Sequence, residues 1–190
     1  MNIEIQHTNY KSVFDTEKFY PIVVNWTLTK DHLDEARIPR VNDFSKDPLF
    51  PSQTNLEHYY QDNGQDIDRG HMCPCEDNLT QGSGVEAECF YFSNMAPQYH
   101  HLNIGSWKKL EGECRKWADE FGSIDIWAGS IGEIGKMGAV SIPEKCWKVV
   151  HIPSTDTWGA YIFQNTKDDS GNLEPESTVE IIVNLTGLKF

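Results

Sequence analysis

The stretch SWKKLEGECRKWADEFGSIDIWA, residues 106–128, reads as a helix running into a strand. Trp107, Leu110, Cys114, Trp117, Ala118 and Phe121 recur at offsets of three, seven, ten, eleven and fourteen. That is one apolar stripe at the helical period, and Gly122 supplies its C-terminal stop. Residues 124–128 then form a strand. Further strands are expected over 19–28, 88–93 (ended by Pro97), 146–151 and 159–163, all rich in β-branched and aromatic residues. Ser177-Thr178-Val179-Glu180 has the form of a capping box, and Gly187 closes the short helix it opens. Residues 37–66 are polar with scattered Pro, Asn and Asp, and read as a long loop of the kind that is often functional. Strands mixed with a few helices, without regular βαβ alternation, make the fold class α+β.

The 190 residues are read as one continuous domain, 1–190, long enough to bury its own core. No apolar run approaches the roughly 20 residues that span a bilayer, so no membrane association is expected. Met1-Asn2-Ile3-Glu4 does not open a signal peptide; a secreted or periplasmic location stays open if such a segment has been removed. The net charge is -13, which on its face argues against a polyanionic partner. Either nucleic acid is not the substrate, or basic residues are concentrated locally and a bound cation supplies the rest. Arg37, Arg40, Lys46, Arg69, Lys108, Lys109, Arg115 and Lys116 all fall between 37 and 116. Arg69, Lys108 and Lys109 are the candidates among them for nucleic-acid contact. Much of the acidic excess lies elsewhere, in the N-terminal third and around Asp168, Asp169, Glu174, Glu176 and Glu180.

The five cysteines, Cys73, Cys75, Cys89, Cys114 and Cys146, are an odd set, so at least one is free or paired between chains. A zinc-stabilised binding module built on His71, Cys73, Cys75 and Cys89 is the rival reading, although the spacing matches no common zinc framework; buried thiols, or one or two disulfides, are the better reading of these cysteines.

Three short motifs carry chemistry. Asp68-Arg69-Gly70-His71 offers a histidine that is either a satisfied core group or a base. Asn103 stands just before the long helix, with Glu111 eight residues on, within about 80° of it around an ideal helix. Glu111 and Arg115 have the spacing of an exposed ion pair; an amide oxygen beside a carboxylate also suits a hard, hydrated cation. Ser93-Asn94-Met95-Ala96-Pro97-Gln98 is either a turn or a strand end that delivers an amide to a site.

Together Asp68-Arg69-Gly70-His71-Met72-Cys73-Pro74, Ser93-Asn94-Met95-Ala96-Pro97-Gln98, and Leu102-Asn103-Ile104-Gly105-Ser106-Trp107 with Leu110-Glu111 and Arg115 resemble the DNA/RNA non-specific endonucleases. These are ββα-metal nucleases that include secreted bacterial nucleases and mitochondrial endonuclease G. The match continues through Ile142-Pro143, Trp147-Lys148-Val149, Phe163-Gln164-Asn165 and Leu185-Thr186-Gly187-Leu188-Lys189-Phe190, in order along nearly the whole chain. The resemblance implies a mostly antiparallel sheet flanked by helices, with a ββα-metal element made by the His71 strand and the Asn103 helix. It implies His71 as general base, Asn103 as the direct ligand of Mg2+ (or of Mn2+ or another divalent cation), and Glu111 as the holder of metal-bound water. Asn94 matches an amide that supports the site and Arg115 a site arginine. Arg40 best matches a phosphate-contacting arginine, with Arg37 close by. The partners implied are DNA and RNA, with the protein a monomer or a homodimer. Cys73 and Cys75, where small or apolar residues are usual, open a local redox sensitivity, and Asn184 stands where the family often has glutamate.

The residue types fit the chemistry. Phosphodiester hydrolysis needs a deprotonated water in line with the leaving oxygen and stabilisation of the charge that develops on phosphate. A neutral imidazole, a divalent cation and an arginine supply these. Contacts to phosphate and metal carry no direct base information, which matches a sequence-tolerant enzyme.

Overall fold

In a computed structural model, residues 1–190 are described except 41, 51–55, 62–63, 79–86, 169–170, 172 and 174–176. Part of the expected 37–66 loop, and the acidic residues Asp169, Glu174 and Glu176, lie outside the described residues. The elements in chain order are β1 (Asn2–Gln6), β2 (Lys11–Asp15), β3 (Tyr20–Thr29), α1 (Lys30–Asp34), α2 (Glu57–Tyr60), β4 (Ile67–His71) and β5 (Met95–Tyr99). There follow α3 (His100–Leu102), α4 (Lys108–Phe121), β6 (Ser123–Ile131), β7 (Gly135–Met137), β8 (Val140–Ile142), β9 (Lys145–Ile152), β10 (Thr157–Gln164) and α5 (Val179–Thr186).

A six-stranded antiparallel sheet runs in the order β1-β2-β3-β6-β9-β10. Alternation along its strands feeds two cores. Ile124, Ile126, Ala128 and Val150 pack with Leu110, Cys114 and Ala118 of α4 on one face. On the other face Val23, Trp147, Val149 and Ala160 pack with Ile182 of α5, and Trp127 and Phe190 cover them. The sheet is therefore flanked by helices on both sides, as expected for this α+β class. The helical stripe of α4 is buried as its period requires, and Gly122 ends it at φ +88°. Thr178, one residue later than the capping-box pattern suggested, is the cap of α5: its hydroxyl accepts from the Ile181 amide.

A second, two-stranded ribbon positions the chemistry. β4 pairs antiparallel with β5, placing His71 opposite Met95 and Arg69 opposite Pro97. Pro97 was expected to end a strand but lies inside one, which a two-stranded ribbon tolerates because a proline there can turn its missing donor outward. The expected strand over 88–93 is instead two tight 3-10 turns, Glu88–Phe90 and Phe92–Asn94. Phe90 and Phe92 are buried in separate clusters, so local β propensity gives way to packing. Asn165 clamps the ribbon: its amide donates to the carbonyls of Pro97 and Pro143, and its oxygen accepts from the Tyr99 amide.

Candidate active site

His71 closes β4, and its backbone and ring are fixed separately. The Trp107 indole N–H donates to the His71 carbonyl at 3.1 Å. The imidazole packs edge-on to Phe90 and tilted against Phe44, at 5.5 and 5.6 Å between centroids. Its Nε2 is enclosed, with no hydrogen-bond partner among the described residues. Burial, reinforced by the charges of Arg40 and Arg69, holds its pKa down at about 3, so the ring is neutral at physiological pH. A buried polar atom left without a partner in a native protein marks a place for water or a reactant.

Gly70 is needed one residue earlier, because a Cβ there would run into the Gln98 side chain on the paired strand. Immediately after His71, Asn94 holds the chain. It is fully buried; its oxygen accepts from the Cys73 amide at 2.9 Å, and its nitrogen donates to the carbonyls of Cys73 and Cys89. The structure thus commits the whole Asn94 amide to backbone, a supporting part.

Asn103 enters from the other strand. From α3 the chain passes through a π-type turn, Asn103–Trp107, in which the backbone leaves the helical region at Gly105, before α4 begins. The ideal-helix angle between Asn103 and Glu111 therefore does not apply. Asp68 does the orienting instead: its Oδ2 accepts from Asn103 Nδ2 and pairs with His100 Nδ1, each at 2.8 Å. With the amide nitrogen held there, Asn103 Oδ1 is left as a hard acceptor uncommitted among the described residues. The aspartate also raises the pKa of His100.

Glu111 does not pair with Arg115. Arg115 is bonded at 3.0 Å to Asp77, a buried carboxylate that also accepts from the Trp26 indole at 3.1 Å. Burial pushes the Glu111 pKa up to about 7, with Lys148, Arg115 and Lys108 working against it and Asp77 with it. Glu111 is a carboxylate with no ion pair within 4 Å among the described residues, and Asn103 presents an oriented amide oxygen; both donor types suit a hydrated divalent cation.

The two arginines of the upstream loop part company. Arg37 is engaged by the carboxylate and carbonyl of Glu76. Arg40 is exposed, lies over the Phe90 ring at 5.6 Å and is bonded at 2.8 Å to Asn42, with its charge acting on His71. Arg69 covers Phe44 at 4.3 Å and pairs with Glu57 at 2.8 Å. Lys108 and Lys109 are exposed on the first turn of α4, where Lys109 donates to the Gly171 carbonyl. His71 and Asn103 make no hydrogen bond with each other; the strand that ends in His71 carries the Asp68 that holds Asn103.

The zinc reading finds no geometry. Cys73 is bonded by the Asn78 amide, Cys75 and Cys89 face each other within an apolar cluster, and no group of three or more His, Cys, Asp or Glu is placed to hold a metal among the described residues. Sequence reasoning passed over Asp68 as a positioning group, although it stood in the motif. It also passed over Phe44, Phe90, Trp107 and Asp77, whose roles depend on contacts 19 to 51 residues apart along the chain.

Comparison with known proteins agrees in fold and sequence. A family model described as DNA/RNA non-specific endonuclease matches residues 2–190. The chain is 32% identical over 131 residues to a nuclease of Nostoc sp., covering 68% of this chain and 47% of that protein. It is 29% identical over 201 residues to a nuclease of Serratia marcescens, covering 97% and 73%. To the mitochondrial nuclease EXOG of Xenopus laevis it is 27% identical over 214 residues, covering 97% and 57%. The chain thus spans about half the length of the Nostoc and Xenopus relatives. The crystal structure of the EndoG/EndoGI complex superposes with a TM-score of 0.83 at 23% identity, over 100% of this chain and 86% of that one, and so shares the fold.

Proposed function

Since the chain belongs to the DNA/RNA non-specific endonuclease family, we propose that residues 1–190 form one nuclease domain that hydrolyses phosphodiester bonds of DNA and RNA with little sequence preference. The observation that carries this is Asp68. It fixes the Asn103 amide so that an oxygen stays free, on the same short strand that ends in a neutral histidine with an orphaned nitrogen.

Asn103 Oδ1 would hold a hydrated Mg2+ directly and Glu111 would hold one of its waters; Mn2+ or another divalent cation fits the same donors. When bound, the cation neutralises charge on the phosphate and on the leaving 3′ oxygen. The His71 imidazole, already neutral, takes the proton of the attacking water directly, and solvent returns a proton to the leaving 3′ oxygen. Arg40 presents its guanidinium fork to a phosphate oxygen, while Arg37 stays with Glu76. Arg115 keeps the Asp77 carboxylate neutralised behind Glu111, and Asn94 sets the turn after the base. Arg69, Lys108 and Lys109 contact the flanking phosphates without reading bases.

Supercoiled plasmid and a structured RNA, incubated with and without Mg2+, test the proposal. Both are expected to be cut, chelator to stop the reaction, and His71→Ala to lose at least about a hundredfold in rate while keeping a native circular dichroism spectrum. Normal cutting by His71→Ala would remove the assigned base.

A further inference from the structure

Lys148 lies mid-way along β9 on the face that packs against α4, fully enclosed, and its Nζ makes no hydrogen bond among the described residues. An ammonium taken out of water without partners costs several kcal/mol. What surrounds it offsets part of that. Nζ sits 4.3 Å from the Trp107 ring and 5.9 Å from the Trp26 ring, the geometry of cation–π attraction. The buried carboxylate of Asp77 and the half-buried one of Glu111 feel its charge, as they do that of Arg115, so two acids and two bases share this region. A methionine would fill the same space without a desolvated charge, so packing alone does not account for a lysine here.

Trp107 is the link to the chemistry. One side of its indole faces the ammonium, and its N–H holds the His71 carbonyl. We propose that Lys148 is a positioning residue: its enclosed ammonium fixes the Trp107 indole, and through the indole's hydrogen bond it fixes the backbone that presents His71. The inference rests on the reading of His71 as the base.

The test is Lys148→Met, with Trp107→Phe as the second variant, which keeps a ring but loses the N–H. In metal-free, 15N-labelled protein the Trp107 indole N–H is expected to exchange at least tenfold faster in Lys148→Met than in wild type. With Mg2+, kcat is expected to fall at least tenfold and KM to change less than threefold. Trp107→Phe should reproduce that fall in kcat, and adding Lys148→Met to it should lower kcat less than threefold further. Unchanged indole exchange, unchanged kcat, or a fully additive double variant would overturn the proposal. So would loss of the folded spectrum in both Lys148→Met and Lys148→Gln, which would assign the lysine to stability alone. A wild-type protein with no Mg2+-dependent cleavage would sink the nuclease reading instead, and the exchange measurement would still report on the hold over Trp107.

Discussion

Burial moves His71 and Glu111 in directions that both favour the neutral form, and the two act oppositely on stability. The folded His71 titrates at about 3 against an ordinary 6.5. Between those values only the unfolded chain takes up the proton, so its contribution is lost as pH falls from 6.5 towards 3, by about 1.4 kcal/mol per pH unit. Glu111 titrates at about 7 in the metal-free protein against an ordinary 4.5. Here the folded chain holds the extra proton, so stability is gained as pH falls through that window and is missing above 7. Glu111→Gln is therefore expected to stabilise the metal-free protein at pH 8 by on the order of 2 kcal/mol, read as a raised Tm, while lowering cleavage at least about a hundredfold. A destabilised Glu111→Gln would show that the carboxylate is not strained by burial. The same titration makes divalent-cation affinity, measured by calorimetry, weaken as pH falls through about 7, whereas His71 stays neutral well below that. At Arg40 the expectation is steric and electrostatic: Arg40→Ala should lose about 2–4 kcal/mol of transition-state stabilisation in kcat/KM. Arg37→Ala, which breaks only an exposed pair with Glu76, should change it less than threefold. Equal losses would reassign the phosphate contact.

The β4–β5 ribbon, the π-type turn and α4 act as one element, and Asn94 is the pin at its open end. Three backbone groups depend on the Asn94 amide, all in the interior. Asn94→Ala leaves them unsatisfied and is expected to cost about 3 kcal/mol or more in chemical denaturation. Activity below its lowered Tm should fall as well, since the turn follows His71 directly; a loss under 1 kcal/mol would mean that the turn holds without the pin. How much of this element was legible in the sequence follows from which forces are local. The α4 stripe and its Gly122 stop are set by neighbours within a turn or two, so 107–121 was readable almost to the residue. The Asp-Arg-Gly-His, Ser-Asn-Met-Ala-Pro-Gln and Leu-Asn motifs marked the parts of the site. Their connections were not readable. The Asp68–Asn103 and Arg115–Asp77 bonds span 35 and 38 residues, and the second took Arg115 away from the Glu111 that helical spacing offered it. The aromatic run at 88–93 carried strong strand propensity, yet Phe90 turns to the His71 ring and Phe92 to a different cluster, which two tight turns allow and a strand would not.

At the scale of the whole molecule the difficulty is charge. A net -13 repels a polyanion, while Arg40, Arg69, Lys108 and Lys109 give it something to hold. These act over different distances. The repulsion is long-ranged and reaches about 30 Å at 0.01 M salt, but only about 10 Å at 0.1 M. Contacts between the basic side chains and phosphate are short and weaken steadily with salt through counterion release. The charges of Arg40 and Arg69 act on His71 and Lys108 and Lys109 open α4, whereas the acidic Asp119 and Glu120 lie in the last turn of α4 and Asp15, Glu17 and Glu180 elsewhere around the sheet. Adding salt from a very low level should therefore first remove the repulsion and only later the contacts. At fixed, saturating Mg2+, kcat/KM on a long DNA is expected to rise between about 0.01 and 0.1 M KCl and to fall beyond it, with the change carried by KM. Replacing Glu120, in the last turn of α4, and Glu180, in the first turn of α5, by Gln should flatten the rising limb and leave the falling one unchanged. A rate that declines from the lowest salt onward would mean that the local basic patch outweighs the overall charge at every distance the substrate samples.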